Sequence, residues 1–317
     1  MEYPNPKIKY YKIRTLNEKL SVSFDFLREN WKALLKFSFY LILPICLFQS
    51  FALNSSMKYF YSMGYNTGAG NVGVDMYTLI LNYVLYMLFI LLGTSVLNAM
   101  AYSLMIEYER RDSRLMTITL QDFKSPMIKN TIKLLLAYFL YVGIIILVSF
   151  LLFLLLYAFS SLAMRALFVI LVIAIIAGFV FIMIPVNLFM PIYLFENISF
   201  SGALRKSFKY GISNWGGTFV IVLVFGLLAN IISGVTMMPW YIVLIFGQLF
   251  SLSEQGAEVT VSIWYQFISY LLGIIQSYGM YASYILSAVG IAFHYFHLRE
   301  KNEGIAVDAN IQNFDRL

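Results

Sequence analysis

The only two histidines of the chain, His294 and His297, lie close together near its carboxyl end. Their i, i+3 spacing places both imidazoles on one face of a helix, an arrangement that can chelate a metal ion. Glu300 is the single neighbouring residue that could add a third ligand, and the one cysteine, Cys46, is far away in an apolar segment. Because two histidines alone are more often structural than metal-binding, we predict no metal and no other cofactor.

Two further motifs resemble functional sequences but are expected to be connecting segments. Gly68, Gly70 and Gly73 have the spacing of a dinucleotide-binding fingerprint, yet no strand precedes them, so we expect an exterior loop. The mixed charges of 107–114 predict a solvated turn beside the membrane. A docking patch for a cytoplasmic protein partner is the alternative for that turn.

Few groups in the sequence could perform acid–base chemistry, because the ionisable residues lie at the ends of the apolar segments. The candidates near one interface are Glu107, Glu109, Glu196, His294 and His297. A membrane-embedded enzyme of lipid metabolism would need several of them to face one cavity. We predict no catalytic residue and no enzymatic activity.

The composition identifies the elements that must carry these residues. Of 317 residues, 61% are hydrophobic and 12% are charged, and the mean hydropathy is +0.77. A soluble domain has about 25% charged residues, so this chain is predicted to be a polytopic, all-α membrane protein. Six segments are long enough to cross a bilayer as helices: 34–54, 76–106, 133–158, 166–190, 217–250 and 259–297. Pro239 leaves open whether 239–250 is a kinked part of the fifth span or a re-entrant segment.

The basic residues predict the orientation of these spans. All but Lys58 and Arg165 of the 22 lysines and arginines fall on one side if the N-terminus is cytoplasmic. We therefore expect a cytoplasmic (inner) membrane protein with a cytoplasmic segment 1–15, a transmembrane domain 16–300 and a cytoplasmic tail 301–317. The net charge of +6 is then attributed to anionic inner-leaflet headgroups rather than to nucleic acid.

An internal repeat precedes the first and fifth spans. Its matching positions in the two copies are Leu20, Ser23, Phe24, Asn30 and Trp31, and Leu204, Ser207, Phe208, Asn214 and Trp215. Leu120 and Asn130 precede the third span at the same separation. The pattern predicts three units, 16–109, 117–196 and 198–300, each a cytoplasmic-side amphipathic interfacial helix followed by a helical hairpin. Thr15 and Glu18 have the spacing of a capping box at the first of these helices.

The segment between the fourth and fifth spans resembles a known family. Pro191 and Glu196 end the fourth span, and an Ala203-Leu204-x-x-Ser207 helix follows. This pattern is similar to the linker of six-span bacterial proteins related to the glycerophosphoryl diester phosphodiesterase membrane domain. The resemblance implies an inner-membrane module without the soluble catalytic barrel, and so without phosphodiesterase activity. The longer, proline-containing fifth span departs from that pattern.

The last span is the most polar one. Gln266, Gln276 or Ser277, and Tyr284 lie roughly along one side of it and form a possible polar groove for a headgroup or small solute. Helix packing is the simpler interpretation, since small residues also recur there at four-residue spacing. We therefore expect a non-enzymatic scaffold, regulator or lipid-interacting module of the membrane, with an unidentified protein partner possible. The alternative is a transporter or channel for an uncharged or lipidic solute.

Overall fold

The computed structural model describes residues 6–65, 76–158, 165–253 and 263–305. Within these ranges the chain is helical and contains no strand. The helices are α1 Leu16–Tyr65, α2 Met76–Arg110, α3 Leu120–Ala158, α4 Arg165–Val186, α5 Phe189–Phe195, α6 Phe200–Ser213, α7 Trp215–Ser253 and α8 Ile263–Glu303.

Five stretches of these helices are long and apolar enough to cross a membrane, so the chain is a multi-pass membrane protein. They are Leu16–Ser56, Tyr77–Arg110, Leu120–Leu154, Ile170–Phe195 and Trp215–Gly247. The sequence predicts six, and the sixth segment falls in α8, which has 41 residues but is more polar. Much of α8 is buried by α1, α2 and α7, so its surface need not be as apolar as one that faces lipid. Its membrane crossing stays a prediction.

Two of the three expected interfacial helices are not separate elements. α1 is one helix of 50 residues, about 75 Å long, that joins the amphipathic stretch to the first span. α3 likewise continues from Leu120 into its apolar part. Only α6 is distinct, because Asn214 leaves the helical conformation (φ −134°, ψ 41°) and Gly216 and Gly217 follow it. The first unit has Lys32 and Ala33 at the positions of those glycines, and neither residue interrupts a helix.

The helices pack in a cyclic order along the three predicted units. α2 packs on α3, α4 on α7, and α8 on α1, so the second long helix of each unit contacts the first of the next. Within units, α1 packs on α2 and α7 on α8, whereas the described residues of α3 and α4 are not among the closely packed pairs. The middle hairpin is therefore splayed. This differs from the expected set of three similar hairpins.

The main hydrophobic core extends along α1, α2 and α8 and reaches one end of the bundle, where the N-terminal segment packs on α2 and α8. The Tyr10 ring stacks on Phe296 with centroids 4.6 Å apart and on Tyr108 at 6.0 Å, and it meets Phe26 and Phe293 edge-on. We call this end of the bundle the basic end. It comprises segment 6–15, the connections 111–119 and 196–199, and the parts of α1, α2, α3, α6 and α8 beside them.

Away from the basic end, α3 and α4 leave most of their side chains exposed. In 139–154 of α3, large apolar residues such as Ile146 and Phe153 are about as exposed as those of α4. Such a surface is compatible with lipid and not with water. α7 continues without interruption through Pro239, so 239–250 is part of one long helix and not a re-entrant segment.

Candidate functional site

Three amphipathic segments at the basic end bury polar and apolar side chains with the same spacing. The buried positions are Lys19, Ser23, Phe26 and Asn30 on α1, Phe123, Met127, Asn130 and Leu134 on α3, and Ala203, Ser207 and Tyr210 on α6. Ser23 Oγ donates to the Lys19 carbonyl and Ser207 Oγ to the Leu204 carbonyl, so both fully buried serines are satisfied within their own helices. Of the residues that match in sequence, Leu20 and Leu204 are both partly buried and Ser23 and Ser207 are both fully buried, while the repeat of whole units stays a prediction.

The opposite face of these segments combines exposed apolar and basic side chains. On α1, Phe24 is 44% exposed and Trp31 52%, with Arg28 and Lys32 exposed beside them. The same combination recurs on α3 and α6: Ile128, Ile132, Lys124 and Lys129 on α3, and Ile212, Arg205 and Lys209 on α6. Leu20, Leu204, Phe208 and Trp215 are partly buried. We call these three faces the basic–apolar band.

At the start of each amphipathic segment a side-chain oxygen accepts a hydrogen bond from a backbone N–H. Thr15 and Glu18 form the predicted capping box, with Glu18 Oε2 accepting from Thr15 N at 2.7 Å and Thr15 Oγ1 from Glu18 N at 3.4 Å. Thr119 N donates to Asp122 at the start of α3, and Ser199 Oγ caps α6 by accepting from Gly202 N. These caps fix where the three segments start.

An ion network at the basic end joins the connection after α5 to α6 and α8. The largely buried Glu196 carboxylate accepts hydrogen bonds from Lys206 Nζ at 2.6 Å and Tyr295 OH at 2.8 Å. Lys206 also pairs with Glu303, and Arg299 Nε donates to Glu303 at 3.0 Å. One lysine and one arginine are therefore shared between two carboxylates from distant parts of the chain.

The same network shifts the protonation of its members. Burial alone would raise the pKa of Glu303, but hydrogen bonds from Lys206, Tyr210 and Arg299 outweigh burial and lower that pKa to about 2. Burial and the bond to Glu303 raise the pKa of Tyr210. At neutral pH Glu303 is consequently a carboxylate and Tyr210 a phenol that donates to it.

A cavity of about 330 Å³ opens beside this network, between α6 and the end of α8. Its lining residues are Gly202, Arg205, Lys206, Lys209, Tyr210, Asn302 and Glu303. Arg205 and Lys209 are exposed and form no ion pair with any residue in the described ranges. The cavity therefore carries uncompensated positive charge on its α6 wall.

Part of the charged run 107–114 connects helices, while Arg110, Asp112 and Ser113 are exposed to solvent as predicted. Arg114 NH1 donates to Glu29 Oε1 at 2.8 Å, and Tyr108 OH donates to the same carboxylate. Arg111 bridges Glu107 at 3.0 Å and Asp122 at 3.2 Å. These ion pairs link α1, α2 and α3, and the docking patch stays a prediction.

The two histidines lie at the junction of α8 with the start of α1. His297 Nδ1 accepts a hydrogen bond from Arg14 N at 3.0 Å, and His294 contacts Lys19 Nζ through Nδ1 and Thr218 Oγ1 through Nε2. Their rings stack 6.1 Å apart. In the described part of the chain no three histidine, cysteine, aspartate or glutamate side chains gather as a metal site would require. His294 therefore has partners on α1 and α7, and His297 has a partner just before α1.

The predicted polar groove on α8 is divided between the interior and the surface. Ser277 is fully buried and Gln276 is 5% exposed, whereas Tyr284 is 46% exposed and Gln266 is also on the surface. Next to them, Tyr281 OH donates to Gln49 Oε1 of α1 at 2.6 Å. The structure thus brings only Gln276 and Ser277 into the core, and the groove stays a prediction.

Four buried polar atoms in the middle of the bundle have no hydrogen-bond partner among the described residues. They are Gln49 Nε2 on α1, Trp240 Nε1 on α7, and Gln276 Oε1 and Ser277 Oγ on α8. All four side chains are at least nine-tenths buried. Orphaned polar groups are costly inside a membrane, so a water molecule or another small polar group is expected to satisfy some of them.

Sequence reasoning missed most of the ion network. It noted Glu196 as a family-like residue, but nothing indicated that Lys206, Arg299 and Glu303 would meet it. The useful pattern would have been the i, i+4 pair Arg299 and Glu303 at the end of the last helix, which predicts a local ion pair only. Their meeting with Glu196 depends on where α6 and α8 are placed relative to the connection after α5.

Comparison with family models, with curated protein sequences and with solved structures finds no match to this chain. The resemblance of 191–215 to the phosphodiesterase membrane-domain family therefore stays a prediction. In the structure Pro191 lies in α5, Glu196 caps its end, and Ala203 and Ser207 lie on the buried face of α6.

Proposed function

We propose that the chain is a non-enzymatic module of the cytoplasmic membrane that binds anionic lipid at its basic end and acts there as a scaffold or regulator. In this proposal α8 is the sixth span and both termini are cytoplasmic. The observation that carries it is the basic–apolar band, which occurs on three separate helices at the same end of the bundle.

The charge balance of the basic end favours an anionic partner surface. Glu29, Glu107, Glu196 and Glu303 are each paired with a protein cation, while Arg28 and other basic residues of the band point away from them. Each basic side chain near an anionic leaflet contributes about 1 kcal/mol. The exposed side chains of Phe24 and Trp31 would insert into the bilayer at the headgroup level, where tryptophan is favoured.

A non-enzymatic role is supported by the partners of the ionisable groups. Glu107 and Glu196 are held by arginine, lysine or tyrosine, and the histidines by Arg14, Lys19 and Thr218. A lipid-metabolising enzyme would need several such groups to converge on an open substrate cavity. Three of the seven residues that line the 330 Å³ cavity are cations and one is acidic, a charge balance that suits anion binding better than proton transfer.

Thermal unfolding of the purified full chain with added lipid tests this proposal. We expect phosphatidylglycerol to raise the melting temperature more than phosphatidylcholine does, and the difference to shrink with salt. R28Q/K32Q should weaken the response to phosphatidylglycerol by about 2 kcal/mol of binding free energy. D112N, which alters an exposed charge outside the band, is the matched control. Equal responses of the wild type to both lipids would refute the proposal.

The unpartnered polar atoms favour one alternative, a pathway for a small uncharged solute between α1, α7 and α8. Gln49, Gln276 and Ser277 would line it. Glycerol uptake by proteoliposomes, followed by light scattering, measures such a pathway. The alternative requires uptake above that of empty liposomes and its reduction by Q276L. N230L is the control, because Asn230 is exposed and donates to its own helix. Uptake equal to that of empty liposomes excludes the alternative.

A further inference from the structure

We propose that the cavity between α6 and the end of α8 is a specific site for the phosphodiester of an anionic lipid headgroup, held by Arg205 and Lys209. This inference rests on the proposed lipid-binding function and deepens it. It assigns lipid binding to one defined cavity, as distinct from the diffuse attraction of the whole basic–apolar band.

The spacing of the two cations suits one phosphate. Arg205 and Lys209 are i and i+4 on α6, so their side chains leave the same face of the helix and line the same cavity. A guanidinium can give a phosphate two parallel hydrogen bonds, and an ammonium adds a point charge. Asn302 forms part of the α8 side of the cavity. A volume of about 330 Å³ is sufficient for a phosphate with a short polyol attached.

The neighbouring charges leave these two cations available. Lys206 lies between them in sequence but is bound to both Glu196 and Glu303. Glu303, the acidic residue of the lining, accepts hydrogen bonds from Tyr210 and Arg299 as well as from Lys206. Its charge is therefore largely compensated. The ion network thus holds α6 against α8 while Arg205 and Lys209 retain the charge that an anion would neutralise.

The position of α6 favours a lipid over a soluble phosphate. Immediately after α6, the Trp215 ring stacks between Phe181 and Phe219, with centroids 5.2 and 5.4 Å away, and its Nε1 donates to the Phe181 carbonyl. Tryptophan anchored in this way marks the headgroup level of a bilayer. Ile212 of α6 is 52% exposed beside it. The cavity therefore adjoins the apolar surface on which acyl chains would rest.

The test compares two pairs of charge removals in the full-length protein in nanodiscs of phosphatidylcholine containing increasing phosphatidylglycerol. R205Q/K209Q is expected to weaken the apparent affinity for phosphatidylglycerol about tenfold or more, because two direct contacts are lost. K124Q/K129Q removes the same charge from the exposed face of α3 and should weaken the affinity less than R205Q/K209Q does, because only the diffuse attraction of the band is lost. N302F fills the cavity without altering charge and should resemble R205Q/K209Q.

The outcomes separate this site from the general proposal. Equal loss in the α3 and α6 pairs, or unchanged affinity in N302F, would overturn the site while leaving the basic–apolar band in place. No preference of the wild type for phosphatidylglycerol would overturn both. Inorganic phosphate and glycerol phosphate are titrated separately, and binding of either as tightly as the lipid would overturn the lipid assignment. N302F keeps the test valid should R205Q/K209Q fail to fold.

Discussion

Several polar residues of the repeat are buried in the structure. Ser23 and Ser207 are fully buried, and Asn30 and Asn130 are both nearly so, although polar residues are usually exposed. Asn30 Nδ2 donates to the Phe26 carbonyl one turn earlier, so the amide enters the core without losing its hydrogen bond. Small, self-satisfied polar side chains allow close helix packing there, which is a physical reason for their recurrence.

The ion network predicts acid sensitivity at the residue scale. The pKa of Glu303 is about 2 in the folded chain against an ordinary 4.5. Because the pKa of Glu303 is lower in the folded chain than in the unfolded chain, the ionised carboxylate stabilises the fold at pH values above 4.5. This stabilisation is lost as the pH falls from 4.5 toward 2. We expect the melting temperature of the wild type to fall across that range and the melting temperature of E303Q to fall less steeply. Thermal unfolding in detergent between pH 3 and 7 measures it.

D112N is the matched control for E303Q, because Asp112 is exposed and forms no ion pair with described residues. Its melting temperature should follow the wild type at every pH. If E303Q and the wild type lose the same stability on acidification, Glu303 is not a source of the effect.

At the scale of elements, α8 is held by glycines that its neighbours approach closely. A Cβ on Gly279 would lie 2.4 Å from Thr236 Cβ, and one on Gly290 would lie 2.3 Å from the Phe225 ring. Both neighbours belong to α7, so the contact between α7 and α8 depends on these glycines. Small residues have this role in membrane helices because they let backbones come near.

Gly279→Ala should therefore destabilise the protein by about 1–3 kcal/mol, since the added methyl forces α7 and α8 apart. Gly234→Ala on α7 is the control, because nothing lies within 4 Å of its Cβ position. That substitution should be neutral or stabilise by up to about 1 kcal/mol through helix propensity. Thermal unfolding of both variants measures the difference. Equal melting temperatures would contradict the packing assigned to α7 and α8.

Across the whole molecule, one end is cross-linked and the other is loosely packed. The ion pairs of Glu29 with Arg114 and of Glu196 with Lys206, and the aromatic cluster around Tyr10, all lie at the basic end. α3 and α4 diverge from it and offer their apolar surfaces to lipid. A bundle built in this way has one end that is held together by ion pairs and ring contacts between distant parts of the chain.

The orientation of the whole bundle gives a further prediction. On a Cys46→Ala background, cysteines at Ser113 and Lys209 should react with a membrane-impermeant maleimide only after cells are permeabilised, since both belong to the basic end. A cysteine at Tyr77, 74% exposed at the opposite end of α2, is the intact-cell control. Labelling of Ser113→Cys in intact cells would show that the basic end faces the outside of the cell and would contradict the proposed topology.

The sequence by itself determined the class of protein, the gathering of lysine and arginine between apolar segments, and the residues that recur before the first and fifth spans. These properties are local, because transfer to lipid and helix formation depend mainly on composition along a short stretch. The capping box of Thr15 and Glu18 was predictable for the same reason. Tertiary structure decided that α1 is one continuous helix, that much of α8 is buried, and that Glu196 meets Glu303 through Lys206. Burial of α8 and the meeting of charges about a hundred residues apart depend on helix crossings, which no single stretch of sequence encodes.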